Sequence, residues 1–359
     1  MAHADLVALG WTADRDSEFA AIAEADVVPG RVSLEHNHVY RVLTGEGERL
    51  AETAGRIKYL ASGRNELPAV GDWVAVRLDQ QGGRSVIRAI LPRRSVFSRR
   101  AAGRETIEQV LAANVDTVLI VFGLDKPVNT RAIERYLIVA RRSGAAPVIV
   151  LNKADLAEDV GESVAEATVV AGDVPVHAVS TRGAPGVSRL VPFLALGRTV
   201  ALLGPSGAGK SSIVNVLVER EALPTGEVRE WDARGRHTSV HRQIVVREAG
   251  GLIIDTPGLR ELQLWDAGES FGDTFSDIAS LGDACRFRDC RHDREPGCAV
   301  KAAVDAGTLD AGRYESYLKL QREQAAFEKN RDERAAIESK RKARLGSKAI
   351  KAFQKQRGR

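Results

Sequence analysis

The chain has 359 residues, 44% of them apolar and 28% charged, which fits an ordinary globular protein too long for a single core, so two or three domains are expected. Its first residues lack the basic region and long apolar stretch of a signal peptide, and apolar runs such as Val118–Phe122 fall far short of the ~18 residues that span a bilayer. A cytoplasmic protein with no membrane association is therefore expected. The net charge of +4 is uneven: Lys340–Arg359 holds nine Lys or Arg and no acid, and taking those nine from +4 leaves −5 for residues 1–339. Such local basicity points to a polyanion contact.

Residues 1–26 read as a short, partly helical extension without evident chemistry. From Val27 the sequence breaks into β-type runs at Gly30–Leu43, Arg56–Leu60, Asp72–Leu78 and Ser85–Leu91, separated by Gly, Asn and Pro. Val74, Val76 and Leu78 alternate with Ala75 and Arg77, the period of a half-buried strand. Four to five such strands predict a small closed barrel over residues 27–100. An OB-fold leads and an SH3-like barrel is the alternative. An acid-free run with seven arginines, Arg84–Arg104, overlaps the end of this region as a second basic segment.

From about Asn114 the pattern becomes α/β. Apolar strands at Thr117–Phe122, Pro147–Leu151, Val176–Val179, Thr199–Leu203 and Gly251–Ile254 alternate with helical stretches such as Thr130–Arg142. This predicts a mostly parallel sheet covered by helices over residues 101–265. Beyond Trp265 strand signals vanish. A cysteine cluster and helical sequence occupy 266–339, followed by the basic tail 340–359.

The segment Gly204-Pro205-Ser206-Gly207-Ala208-Gly209-Lys210-Ser211 fits G-x-x-x-x-G-K-[ST], follows an apolar strand and leads into a helical stretch opening at Ser212. Its glycines let backbone N–H groups curl around phosphate oxygens at a helix N-terminus. Lys210 is expected to reach the β- and γ-phosphates and Ser211 to ligate Mg²⁺. Asp255-Thr-Pro-Gly258 closes the strand Leu252–Ile254, where a carboxylate can hold Mg²⁺ through water and the Gly258 N–H can sense the γ-phosphate. Asn152-Lys153-Ala154-Asp155 closes another strand. Asp155 can accept from guanine N1–H and the exocyclic amine together, and adenine offers neither donor in that arrangement. Asn152 is expected to tie this loop to the phosphate loop, and the Lys153 stem to pack along the base. Ser180-Thr181 is a candidate loop for guanine O6 or a simple strand-end turn. Together these motifs imply a Mg²⁺-dependent GTPase binding GTP and GDP. Their order, base-reading before phosphate-binding, is a circular permutation of the usual one, and it leads the γ-phosphate loop directly into the C-terminal region.

Cys285-x₄-Cys290-x-His292-x₅-Cys298 gathers all three cysteines of the chain with one histidine inside fourteen residues. Four such ligands with no spare position describe a closed, structural Zn²⁺ site, one per chain. The residue after Gly258 is Leu259, where many GTPases carry a water-orienting glutamine, so slow intrinsic turnover and partner-assisted activation are expected. His237, in the Gly-rich stretch Ala233–Ser239, is the nearest titratable candidate to position water. A phosphate contact and an RNA contact are its alternatives.

These anchors, with Gly235-Arg-His-Thr-Ser239, resemble the bacterial ribosome small subunit-dependent GTPase A family across about residues 27–325. The resemblance implies a circularly permuted α/β P-loop GTPase domain flanked by an OB-fold and a helical zinc domain. It also implies GTP hydrolysis stimulated by the small ribosomal subunit during its late maturation, with rRNA as the partner surface. One departure is visible: the family's consecutive threonines after the switch histidine are Thr238 and Ser239 here, and either hydroxyl can serve Mg²⁺. A monomer is expected. The competing reading is a zinc- and RNA-binding module that uses GTP as a structural ligand. A P-loop kinase is disfavoured by Asn152–Asp155.

Overall fold

The computed structural model describes residues 4–22, 24–61, 63–100, 108–183, 186–218, 242–255 and 269–325. The chain divides into two compact units, Met1–Gln263 and Leu264–Arg359.

Five strands form the barrel: β1 (Val28–His36), β2 (Val39–Thr44), β3 (Gly47–Thr53), β4 (Trp73–Arg77) and β5 (Ser85–Ile90). β1, β2 and β3 form an antiparallel meander, β3 pairs parallel with β5, β5 antiparallel with β4, and β4 returns to β1. That parallel step departs from a simple meander and closes the sheet as the expected OB-fold does. Val32, Tyr40, Val42, Ala51, Val74, Val76 and Ile87 fill the interior. The run Gly30–Leu43 is two strands, broken at Asn37 and His38, which take φ of 48° and 63°. Consecutive left-handed residues give a hairpin turn whose twist matches its strands.

Arg56–Leu60 is not a strand. It lies in a helix, α3 (Gly55–Leu60), following α1 (Ala4–Val7) and α2 (Ala13–Ala20). A short apolar run cannot by itself distinguish strand from helix. Here only Ile57 packs against the barrel, while Tyr59 and Leu60 point to solvent, and β3 takes the place in the sheet.

The N-terminal extension is a wedge. Trp11 packs edge-on against Trp73, with ring centroids 4.9 Å apart. Arg15, 2% exposed, donates to Glu18, the Pro92 carbonyl and Asn114 Oδ1. Arg31 donates to the carbonyls of Leu9, Gly71 and Asn114. Four arginines of the run have acidic partners: Arg84 pairs with Glu52, Arg88 with Glu24, Arg93 with Asp72 and Arg94 with Asp14.

After a two-stranded ribbon, β6 (Val96–Arg100) and β7 (Glu108–Ala113), comes the α/β sheet of β8 (Thr117–Gly123), β9 (Ala146–Asn152), β10 (Val176–Ala178), β11 (Thr199–Leu203), β12 (Arg242–Val246) and β13 (Leu252–Asp255). Its order is β10-β9-β8-β11-β13-β12, parallel except for β12, which continues onto β1 of the barrel. Strand periodicity divides the core. Val118, Ile120, Ile149, Leu151, Ala201 and Leu203 face α4 (Thr130–Ser143) and α5 (Val160–Ala171), joined by Ile133, Leu137 and Ala167. Leu119, Val121, Val148, Val150, Val200 and Leu202 face α6 (Lys210–Val218) and the 3₁₀ turns of Val187–Leu194. Asn129 caps α4 by accepting from the Ala132 N–H at 3.0 Å, and Asp159 caps α5 by accepting from Glu162 at 2.9 Å.

The second unit is helical, as expected: α7 (Glu269–Thr274), α8 (Ser276–Gly282), α9 (Ala299–Asp305) and helical backbone over 311–325. Among the described residues, Phe275, Ile278, Val300, Leu309, Tyr317 and Leu320 are buried in it. Among the described residues no helix is long and apolar enough to cross a membrane.

Candidate functional site

The carboxyl ends of β8, β9, β10, β11 and β13 meet along one edge of the sheet. There Gly123 pairs with Asn152, Ala178 with Leu151, and Ala201 with Ile254, one residue before Asp255. Ligands of open α/β sheets bind outside this edge, where the strand order reverses, and β8 and β11 are the strands between which it reverses.

The phosphate-loop sequence bends at Gly204, Gly207 and Gly209, all with positive φ. At Gly209, φ is 87° and an added Cβ would lie 2.2 Å from Asn152 Nδ2, so no side chain fits there. Lys210 opens α6 with its ammonium folded back over the loop, donating to the carbonyls of Gly204 at 2.7 Å and Pro205 at 2.5 Å. Ser206 and Ala208 lie within this turn, and Ser211 and Ser212 follow in the first turn of α6. This places the helix N-terminus, the cation and the hydroxyls together, the arrangement that binds phosphate.

The guanine-reading loop is joined directly to it. Asn152, 1% exposed, donates from Nδ2 to the Ala208 carbonyl at 2.9 Å, the tie expected from sequence. Its Oδ1 is buried with no hydrogen-bond partner. A buried acceptor left so is costly and suits a loop completed by a ligand. Lys153 takes φ of 62°, and Ala154 donates its N–H to the Val179 carbonyl. Ser180 is buried and donates its hydroxyl to Asp155 Oδ1 at 2.5 Å, while accepting the N–H groups of Arg182 at 2.9 Å and Gly183 at 3.0 Å. Thus Ser180 holds the carboxylate in place. Thr181 follows it in the bend, half-buried.

Sequence reasoning missed Gly123 and Asp125. Asp125 Oδ2 lies 2.9 Å from Lys153 Nζ, and this contact holds the Asp125 carboxyl below its usual range. Only the pairing of β8 beside β9 reveals it.

Asp255 ends β13 beside β11. His237, Thr238, Ser239 and Gly258 lie outside the described residues, as do Leu259 and Lys340–Arg359. His177 sits on β10 against the Phe193 ring, and burial lowers its pKa.

In the second unit, the ligand atoms of Cys285, Cys290, His292 and Cys298 all lie within 4.8 Å of one another. Zinc–sulfur bonds of ~2.3 Å and zinc–nitrogen bonds of ~2.0–2.1 Å in a tetrahedron imply S···S near ~3.8 Å and S···N near ~3.6 Å. Cys285 and Cys298 Sγ are 3.9 Å apart, and each is 3.5 Å from His292 Nδ1. The donor set and spacing fit zinc. Cys285 Sγ also accepts the Ala299 N–H at 3.3 Å, and Cys298 Sγ caps α9 by accepting from Lys301 at 3.5 Å. The Tyr314 hydroxyl donates to the His292 carbonyl at 2.5 Å, bracing the loop.

Comparison with known proteins agrees with this geometry. The family model described as RsgA GTPase matches residues 90–265. The small ribosomal subunit biogenesis GTPase RsgA of Opitutus terrae is 49% identical over 329 residues, covering 89% of this chain and 90% of that protein. Its namesake in Syntrophotalea carbinolica is 39% identical across 98% of both chains. The crystal structure of YjeQ from Thermotoga maritima superposes with a TM-score of 0.62 at 29% identity, over 83% of this chain and 98% of that one. YloQ, described as a circularly permuted GTPase, superposes with 0.59 at 25% identity, over 84% and 96%.

Proposed function

The chain belongs to the RsgA GTPase family, and from that premise we propose that it hydrolyses GTP to GDP and phosphate in small ribosomal subunit biogenesis, with that subunit and its rRNA as partners. The observation that carries the reading is the 2.9 Å bond from Asn152 to the Ala208 carbonyl, which locks a guanine-reading loop to a phosphate-binding one.

Asp155, oriented by Ser180, accepts from the two guanine donors, and an adenine base would leave that carboxylate unpaired. The loop N–H groups, the α6 N-terminus and Lys210 hold the β- and γ-phosphates. Ser211, Asp255 and one of Thr238 and Ser239 would hold Mg²⁺, which supplies charge neutralisation between the phosphates. The Gly258 N–H senses the γ-phosphate, and His237 positions the attacking water. Leu259 has no polar side-chain atom to share that task, so the isolated protein turns over slowly and the subunit accelerates it by acting on the switch segment.

The divisions 1–26, 27–100, 101–265, 266–339 and 340–359 serve as extension, rRNA-binding barrel, GTPase, zinc domain and docking tail. One structural zinc is held by Cys285, Cys290, His292 and Cys298. The protein acts in the cytoplasm as a monomer. Steady-state GTPase rates with and without purified small subunits test this reading. Stimulated multiple turnover supports it. Binding of GTP without any turnover, with or without subunits, would replace it by a module in which the nucleotide is only a structural ligand.

A further inference from the structure

We propose that Asp125 is a positioning residue for guanine-nucleotide binding: it anchors the Lys153 ammonium so that the lysine's methylene stem lies flat beside Asp155 as one wall of the base site. The inference rests on the GTP-binding reading and deepens it.

Three features confine Lys153. Its backbone is left-handed, with φ of 62°, between the buried Asn152 and Ala154. Its stem runs over the end of β8: a Cβ built on Gly123 would lie 3.3 Å from Lys153 Cδ and 3.4 Å from Cε. Any larger residue at 123 would push the stem away from the sheet edge. Finally, Nζ ends 2.9 Å from Asp125 Oδ2. The loop carrying Asp125 is itself fixed, because the Leu124 N–H donates to the Asn152 carbonyl at 2.8 Å. Asp125 and Lys153 therefore leave the same point of the sheet, on neighbouring strands.

A free lysine samples many rotamers, and that freedom is lost when its side chain is fixed. With the ammonium already held, little of that ordering remains for the nucleotide to impose, so part of the binding cost is met in advance. Asp125 also neutralises the cation, leaving methylenes as the surface nearest the base. As a stabiliser of the fold the pair contributes little, since both side chains are partly exposed, 27% and 36%. Its effect is expected in nucleotide affinity.

The test is a fluorescence titration of the full chain with labelled GDP, for the parent, Asp125→Asn, Lys153→Met, the double variant and Asp125→Glu, with melting temperatures and GTP kinetics alongside. Asp125→Asn should weaken GDP about fivefold and raise KM for GTP by a similar factor, with kcat at saturation within twofold. In the Lys153→Met background the same change should have no further effect, and Asp125→Glu should recover part of the loss. Parent-like affinity in Asp125→Asn, or full additivity in the double variant, overturns the inference while leaving the GTPase reading intact. So does a fall in melting temperature that accounts for the lost affinity and is not relieved by glutamate. A parent that binds no GDP instead overturns the proposed function.

Discussion

Cys290→Ala opens one corner of the metal site. The other three ligands, Cys285, His292 and Cys298, are already within 3.5–3.9 Å of one another. Each also has local support, from the N–H groups of Ala299 and Lys301 and from Tyr314. What surrounds them is a small core built on Phe275, Ile278, Val300, Tyr317 and Leu320. Structural zinc sites contribute on the order of 10–16 kcal/mol, comparable to the ~5–15 kcal/mol that holds an entire domain. Weakening the site should therefore loosen the loop 283–298 and α9, with the unit before Leu264 melting separately. Metal content should fall below the proposed one zinc per chain, and hydrogen exchange should show lost protection over 285–305. Zinc retention should also fall as pH is lowered, because the metal competes with protons for the three thiolates. Elemental analysis of chelator-free protein, paired with hydrogen exchange, measures both effects. If protein stripped of metal keeps its protection over 285–305, the core alone holds this unit and the reasoning is wrong.

Asp155→Asn should weaken GTP by orders of magnitude and favour xanthine nucleotides, and Ser180→Ala, which frees the Asp155 carboxylate, should weaken GTP about tenfold; competition titrations with both nucleotides check this. Gly209→Ala forces a Cβ to within 2.2 Å of Asn152 Nδ2 at a φ of 87°, so nucleotide binding measured by calorimetry should be lost, and parent-like affinity would exclude the loop geometry. Asp72 is fully buried and accepts from Arg93 Nε at 2.8 Å and Nη2 at 2.7 Å, so Asp72→Ala leaves that guanidinium only the Asn65 and Leu67 carbonyls and should cost about 3 kcal/mol, read in a denaturant titration. Deleting Lys340–Arg359 should weaken small-subunit binding and flatten its salt dependence without changing intrinsic turnover; co-sedimentation at two salt concentrations decides whether the tail contacts phosphates.

The chemistry of this protein was legible wherever its groups are neighbours along the chain. The phosphate loop, Asn152–Asp155 and the Cys285–Cys298 cluster are each contiguous, and a strand of alternating apolar residues carries its own two faces. The same locality misled at Arg56–Leu60, where apolar residues without long alternation suit helix and strand alike. It was silent on the pairing of the arginine run, whose acidic partners Asp14, Glu24, Glu52 and Asp72 stand elsewhere in the sequence. Arg93 is a partly buried structural cation paired with buried Asp72, and Arg15 turns an extension with no readable chemistry into a wedge between the barrel and Asn114. Asp125 meets Lys153 only because β8 and β9 lie side by side. Residue type and spacing state what a group can do. Which distant group it does it with depends on strand order, and strand order is settled by burying two apolar faces at once, a property of the assembled sheet that no single segment carries.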